Sequence, residues 1–167
     1  MLTRTAKRVT EKDDVRTLFG QMAETMHGHG VGLAAPQVGR SLRFFIAMDP
    51  ETSEIRAYMN PQITWASQEK KVAAEGCLSI PGMHAFVDRH LGIRLRYQDL
   101  DFAEHEEEFQ GWYARILQHE FDHLNGVLIS DRAVDGMHVD KDDDDEVADA
   151  EDVEAAQDAE GEVEVRS

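Results

Sequence analysis

Between residues 12 and 27 the apolar positions are Val15, Leu18, Phe19, Met22 and Met26. Steps of three and four place them on one stripe of a helix, so the pattern predicts a first helix there. The glycines and proline of "GHGVGLAAPQVG" (28–39) end that periodicity and predict a loop. The continuous apolar run "LRFFIAM" (42–48) reads as a buried strand, and "IRAYMNPQITWA" (55–66) as an extended stretch interrupted at Pro61. "EGCLSIPG" (75–82) is turn-rich, whereas "HAFVDRHLGIRLRYQD" (84–99) alternates over much of its length, as one or two strands do. Charged residues 104–108 lead into a last helix that begins near Gly111. Strands in the middle and a helix near each end predict an α+β domain. In it, antiparallel strands pack around the C-terminal helix, with the N-terminal helix beside them.

Projected at about 100° per residue, the last helix gathers Trp112, Ile116, His119 and His123 into one sector, with Glu120 on its edge. Tyr113, Leu117 and Leu124 widen the apolar side, while Arg115, Gln118, Asp122 and Asn125 fall on the opposite face. Both histidines are therefore expected to point to the core. Asn125-Gly126 supplies a helix stop.

Composition divides the chain. Its net charge is -17 over 167 residues, but residues 139–167 hold 14 of the 34 acidic and two of the 17 basic residues. That segment has no aromatic residue, leucine or isoleucine, so it cannot bury enough apolar surface to offset its ordering entropy. The expected organisation is a domain over 1–138 and a disordered, solvating acidic tail over 139–167. A single cysteine, Cys77, excludes an internal disulfide framework and fits a reducing compartment. No apolar run approaches the roughly 18 residues that span a membrane. The basic start "MLTRTAKRVT" lacks the apolar stretch of a secretory signal, so the expected location is the cytoplasm.

The last helix also carries candidate chemistry. His119 and His123, four apart on one face, aim two imidazoles at one point, which suits a tetrahedral metal, and Glu120 is placed to act as a base on a water. H-E-x-x-H also arises by chance, so the motif alone leaves both a metal site and a coincidence open. The inward phase of both histidines favours the metal. A catalytic metal needs a third protein ligand. A third histidine six residues after the second would fall on Ile129, and only the acidic tail offers a downstream glutamate. The remaining candidate is Cys77, although a lone cysteine is ordinarily a small buried hydrophobe.

Three segments, "GVGLAAPQ" (30–37), "EGCLS" (75–79) and "QHEFDHL" (118–124), resemble in order the three motifs of the peptide deformylase family. The similarity covers roughly residues 2 to 132. It implies an enzyme that removes the formyl group from N-formylmethionine on newly made polypeptides and releases formate. By motif position, it also implies that Cys77, His119 and His123 are the metal ligands and that Glu120 is the catalytic acid and base. The Gln37 side-chain amide and the Leu78 backbone N–H would be oxyanion donors, and at Gly32 the chain would pass close to the substrate. Glu75 and Arg89 match a buried ion pair of the family. The implied cofactor is one divalent ion, typically ferrous iron, with zinc, nickel or cobalt compatible with the same ligands.

The implied partners are formylated nascent peptides, with transient ribosome proximity, no direct nucleic-acid binding, no membrane, and a monomeric state. His84 stands where some members have an arginine near the substrate path. Some members dock on the ribosome through a basic C-terminal helix; an acidic tail cannot supply that and would be repelled by RNA phosphates. The family's extended Pro-Asp and Leu-Arg segment precedes "LTRTAKRVT", and the sequence starts after most of it with every catalytic position in place. Two other readings share these residues. One is a hydrolase of another small N-acyl substrate. The other is a non-catalytic peptide-binding or metal-storage protein on the same scaffold, against which the presence of Glu120 and Gln37 weighs.

Overall fold

The computed structural model describes residues 2–78 and 80–140. The chain begins with helix α1 (Val15–Met26), strand β1 (Gly32–Ala34), a 3-10 turn (Ala35–Val38), β2 (Phe44–Met48) and β3 (Ile55–Ala66). It continues through β4 (Lys70–Cys77), β5 (Ile80–His90), β6 (Gly92–Gln98) and β7 (Glu104–Gln110) to helix α2 (Gly111–Leu124), the one-turn helix α3 (Ile129–Arg132) and β8 (Ala133–Asp140). All strand pairs are antiparallel. One sheet has the order β1-β2-β3-β6-β7 and the other β4-β5-β8.

Helix α1 buries Val15, Leu18, Met22 and Met26, the predicted stripe, with Phe19 partly buried beside them. It starts later than the periodicity suggests because Asp14 caps it, accepting the Thr17 N–H at 3.2 Å. The expected strand over 42–48 forms from Phe44 onward, and that over 55–66 forms in full. The interruption in β3 is a register shift between Met59 and Gln62, with Asn60 at φ 48. Its side chain fastens the N-terminal segment: the Val9 N–H donates to Asn60 Oδ1 at 2.8 Å, and Asn60 Nδ2 donates to the Val9 carbonyl at 3.1 Å.

Several expectations need revision. The 28–39 loop contains β1 and the 3-10 turn. The turn-rich 75–82 segment is mostly strand, the tip of the β4–β5 hairpin, with the turn at Leu78. The charged lead over 104–108 belongs to β7, whose glutamates sit across from arginines of β6 (Arg94↔Glu108, Arg96↔Glu106). Such exposed pairs contribute only about 0.2–1 kcal/mol each; the backbone ladder and the burial of Phe109 hold the strand in place.

The largest revision concerns α2. Arg115, Gln118 and Asp122, expected on the face opposite the histidines, are 5%, 6% and 5% exposed, and Arg115 shares the partner Glu75 with His119. The helix lies between both sheets, so each of its faces meets protein. Tyr113, Ala114, Leu117 and Leu124 pack with Phe45, Tyr58 and Ile93 of the larger sheet. Towards the smaller sheet, Arg115 donates to the Val87 carbonyl at 3.0 Å and the Lys71 carbonyl at 2.5 Å, and Gln118 to the His90 carbonyl at 2.9 Å. Paired in this way, the polar face avoids the several kcal/mol that a bare buried polar group costs.

Beyond α3, β8 pairs with β5 from Val87↔Ala133 to Met83↔Asp140, two residues past the expected tail boundary. The remainder of the tail, from 141, lies outside the described residues. Among the described residues no helix is long and apolar enough to cross a membrane.

The expected stop at Asn125-Gly126 ends α2. There the Ala6 N–H donates to the Leu124 carbonyl at 2.8 Å, bringing the N-terminal segment against the helix end. Gly126 has φ +72, and a Cβ on it would lie 2.6 Å from the Thr3 carbonyl carbon. Gly126→Ala is expected to lower stability by about 2–3 kcal/mol, combining left-handed strain with displacement of backbone. Urea unfolding checks this; an unchanged midpoint would show that the contact is dispensable.

Candidate active site

The two pieces of the site are the β4–β5 hairpin tip and the inward face of α2. They bring Cys77, His119 and His123 together, with one ligand atom from each lying within 4.8 Å of the others. Cys77 Sγ is 3.3 Å from His123 Nε2, which is 3.2 Å from His119 Nε2. Donors bonded to one tetrahedral ion at about 2.0–2.3 Å stand about 3.3–3.6 Å apart, so this set fits a divalent metal with a position left open.

His119 is turned by Glu75. Its Nδ1–H donates to Glu75 Oε2 at 3.0 Å, which leaves Nε2 for the cluster. Arg89 grips Glu75 with two bonds, Nε to Oε1 and Nη2 to Oε2, both 2.9 Å. Arg115 Nη1 adds a third at 2.7 Å. The pair expected from Glu75 and Arg89 is thus present and buried. Burial alone would raise the Glu75 pKa, but hydrogen bonds from His119 and Arg89 and the charge of Arg89 hold it well below the usual carboxylate range. Burial disfavours charge on both histidines. On His119 the hydrogen bonds to Cys77 and Glu75 outweigh it and raise the pKa to about 10, whereas His123, also beside the charged His119, falls to about 3.

Glu120 is buried next to this cluster, and its Oε2 has no hydrogen-bond partner among the described residues. Burial pushes its carboxyl up to about 7, with the charge of His119 opposing the shift. Main chain of β1 closes over it: a Cβ on Gly32 would lie 2.5 Å from Glu120 Oε1. Glycine is required here by the carboxylate itself, a reason beyond the close passage of a substrate that the motif implies. Gln37, in the 3-10 turn, accepts the Ala34 N–H at Oε1 (2.8 Å), and this turns its Nε2 towards Cys77 Sγ at 3.7 Å. Leu78 follows Cys77 in the hairpin turn and is 42% exposed.

These groups border a cavity of about 470 Å³. Gln37, His119 and Glu120 line part of it, Val31, Leu78, Met83, Trp112 and Ile116 give it an apolar portion, and His29 and His84 also face it. Arg115 lines the cavity as well and, with Asp122, belongs to the ion network beneath it. Sequence reasoning left both on a polar face. Their charge types were readable, but the partner of Arg115 is a glutamate 40 residues away.

Glu75→Gln keeps the side chain's size while removing the charge that Arg89 and Arg115 share. Breaking a buried pair from one side is expected to cost about 3–5 kcal/mol. Chemical denaturation measures it, and a variant as stable as the parent would mean that the cluster does not support the fold.

The comparisons with known proteins agree with this geometry. A family model described as polypeptide deformylase matches residues 1–138. A peptide deformylase of Thermotoga neapolitana is 48% identical over 134 residues, covering 79% of this chain and 80% of the relative. One from Rhodopseudomonas palustris is 46% identical over 129 residues, covering 73% of this chain and 71% of the relative. Among solved structures, the crystal structure of peptide deformylase from Thermotoga maritima has a TM-score of 0.75 at 46% identity, covering 80% of this chain and 90% of that one. A peptide deformylase from Synechococcus elongatus in complex with actinonin also has a TM-score of 0.75, at 33% identity over 93% of this chain and 80% of that one. With the family model spanning most of the chain and relatives near half identical, the chain belongs to the polypeptide deformylase family.

Proposed function

We propose that Cys77, His119 and His123 hold one divalent metal ion, and that Glu120, Gln37 and the Leu78 main-chain N–H work beside it. The reaction is hydrolysis of the formamide of N-formylmethionine at the N-terminus of newly made polypeptides, with release of formate. The observation that carries this reading is the convergence of one thiol and two imidazoles next to a buried carboxyl, at the wall of a cavity large enough for a side chain. The mixed sulfur and nitrogen donor set suits ferrous iron, the first choice here, and also zinc, nickel or cobalt.

When bound, such an ion supplies Lewis acidity, bringing the pKa of a water towards neutrality. Glu120 takes the proton of the attacking water and returns it to the departing amine; its unpartnered Oε2 is the atom free to do so. Gln37 Nε2, held by the bond between Oε1 and the Ala34 N–H, donates to the oxygen that gains charge as the formyl carbon becomes tetrahedral. The Leu78 N–H is the second donor, and one such donor is typically worth about 2.7–4 kcal/mol. The apolar part of the cavity, around Val31, Trp112 and Ile116, takes the methionine side chain.

The protein acts in the cytoplasm as a monomer, near the ribosome only in passing and without binding nucleic acid. The catalytic unit is residues 1–138 together with the end of β8 at Asp140, and the acidic composition of the remainder makes it a polyanion.

Protein loaded anaerobically with ferrous iron is expected to release formate from formyl-Met-Ala and to leave acetyl-Met-Ala intact. Metal-loaded protein inert towards the formyl peptide would sink the proposal. Cys77→Ala is expected to lose the metal by elemental analysis, since two imidazoles of one helix make an incomplete site; one ion per chain retained would remove Cys77 from the ligands. Glu120→Ala is expected to keep the metal while turnover drops by about a hundredfold or more. Activity within tenfold of the parent would assign the proton transfer elsewhere.

A further inference from the structure

We propose that Arg132 is a positioning residue for His119, acting from the one-turn helix α3 through a continuous chain of ion pairs. The inference rests on the metal reading above. Arg132 grips Asp122 with two bonds, Nε to Oδ2 at 2.5 Å and Nη2 to Oδ1 at 2.7 Å. Asp122 Oδ2 also accepts from Arg89 Nη1 at 2.5 Å. The other edge of the same planar guanidinium holds Glu75 by two bonds of 2.9 Å. Glu75 in turn accepts the Nδ1–H of His119. Because a guanidinium is rigid and flat, its orientation towards Asp122 fixes its orientation towards Glu75. The Glu75 carboxylate then sets the rotation of the His119 ring and the aim of its Nε2.

Charge balance separates this role from a simple structural one. Glu75 and Asp122 match Arg89 and Arg115, and all four are buried. Arg132 is the added cation, its side chain 46% exposed against 7% for Asp122. Without Arg132, Asp122 still faces Arg89, so no buried charge is stranded. Asp122 does, however, lose two of the three side-chain bonds it has among the described residues, and the fork that orients it. It is then free to turn on Arg89 and carry the Glu75 grip with it. The effect should appear in the aim of His119 and much less in folding.

The test uses the full chain with Arg132→Ala and Arg132→Lys. Zinc affinity is measured by competition with a chromophoric chelator, alongside melting of the metal-free protein, the absorption spectrum of the cobalt(II) form, and kcat and KM on formyl-Met-Ala. Arg132→Ala is expected to bind zinc about tenfold more weakly, at the low end for residues that orient metal ligands. The cobalt spectrum should shift, kcat should fall with KM unchanged, and the metal-free melting point should stay near the parent's. Arg132→Lys keeps the charge but not the two-pronged grip, and is expected to fall between the two. Zinc affinity within twofold of the parent in Arg132→Ala would overturn the proposal, whether or not melting changes. Should Arg132→Ala fail to fold, Arg132→Lys decides in the same way: weaker zinc binding supports the relay and parental affinity overturns it. A parent that takes up no zinc, cobalt or iron would instead defeat the metal reading, and this inference with it.

Discussion

Two carboxylates and two guanidinium groups lie buried under helix α2, and none of them can be left without a partner. An unpaired charge in such a place costs several kcal/mol, a large part of the stability of a small domain. Glu75 comes from β4, Arg89 from β5, and Arg115 and Asp122 from α2, so all four pair only when hairpin and helix meet in one register. Apolar packing alone would tolerate a shift of the hairpin along the helix. The ion cluster does not, because its bonds are directional. Cys77 and His119 stand two residues from Glu75 and four from Arg115, so the register that satisfies the charges also brings thiol and imidazoles together.

This explains the unusual character of α2 as a core helix. One side packs aromatic and aliphatic groups against the larger sheet. The other presents arginine, glutamine and aspartate to backbone carbonyls and charges of the smaller sheet. A helix whose polar side towards the smaller sheet is answered by protein needs no solvent face there. The Glu120 carboxyl can then sit deep in the protein, at the wall of the cavity.

What could be read beforehand followed the range of the interactions. Helix α1 was legible because its stripe is local and its other face meets water. The convergence of His119 and His123 was legible for the same reason, being a matter of one helical turn. Cys77 needed both the lack of another third ligand and the motif around it, because nothing in its own neighbourhood sets it apart. The burial of Arg115 and Asp122 was not legible: their partners lie on a hairpin whose position relative to α2 no periodicity encodes. Strand β7 was hidden by its charge, since "EHEEEFQ" reads as a solvated lead until Arg94 and Arg96 are known to lie across from it. Strand β8 was hidden by its neighbours, as a short pairing segment running into an acidic composition.

The wall over Glu120 is main chain, because Gly32 has no side chain to present there. Substitution can remodel a wall made of side chains, enlarging, narrowing or charging it. It can hardly remodel one made of peptide groups, where any added carbon meets the carboxylate. Variation in what this enzyme accepts is therefore confined to the other sides of the cavity, at positions such as Val31, Leu78, Met83, His84 and Trp112. The corner around Glu120 is insulated from that drift. Such a molecule can change its taste in peptides while its chemistry stays where it is.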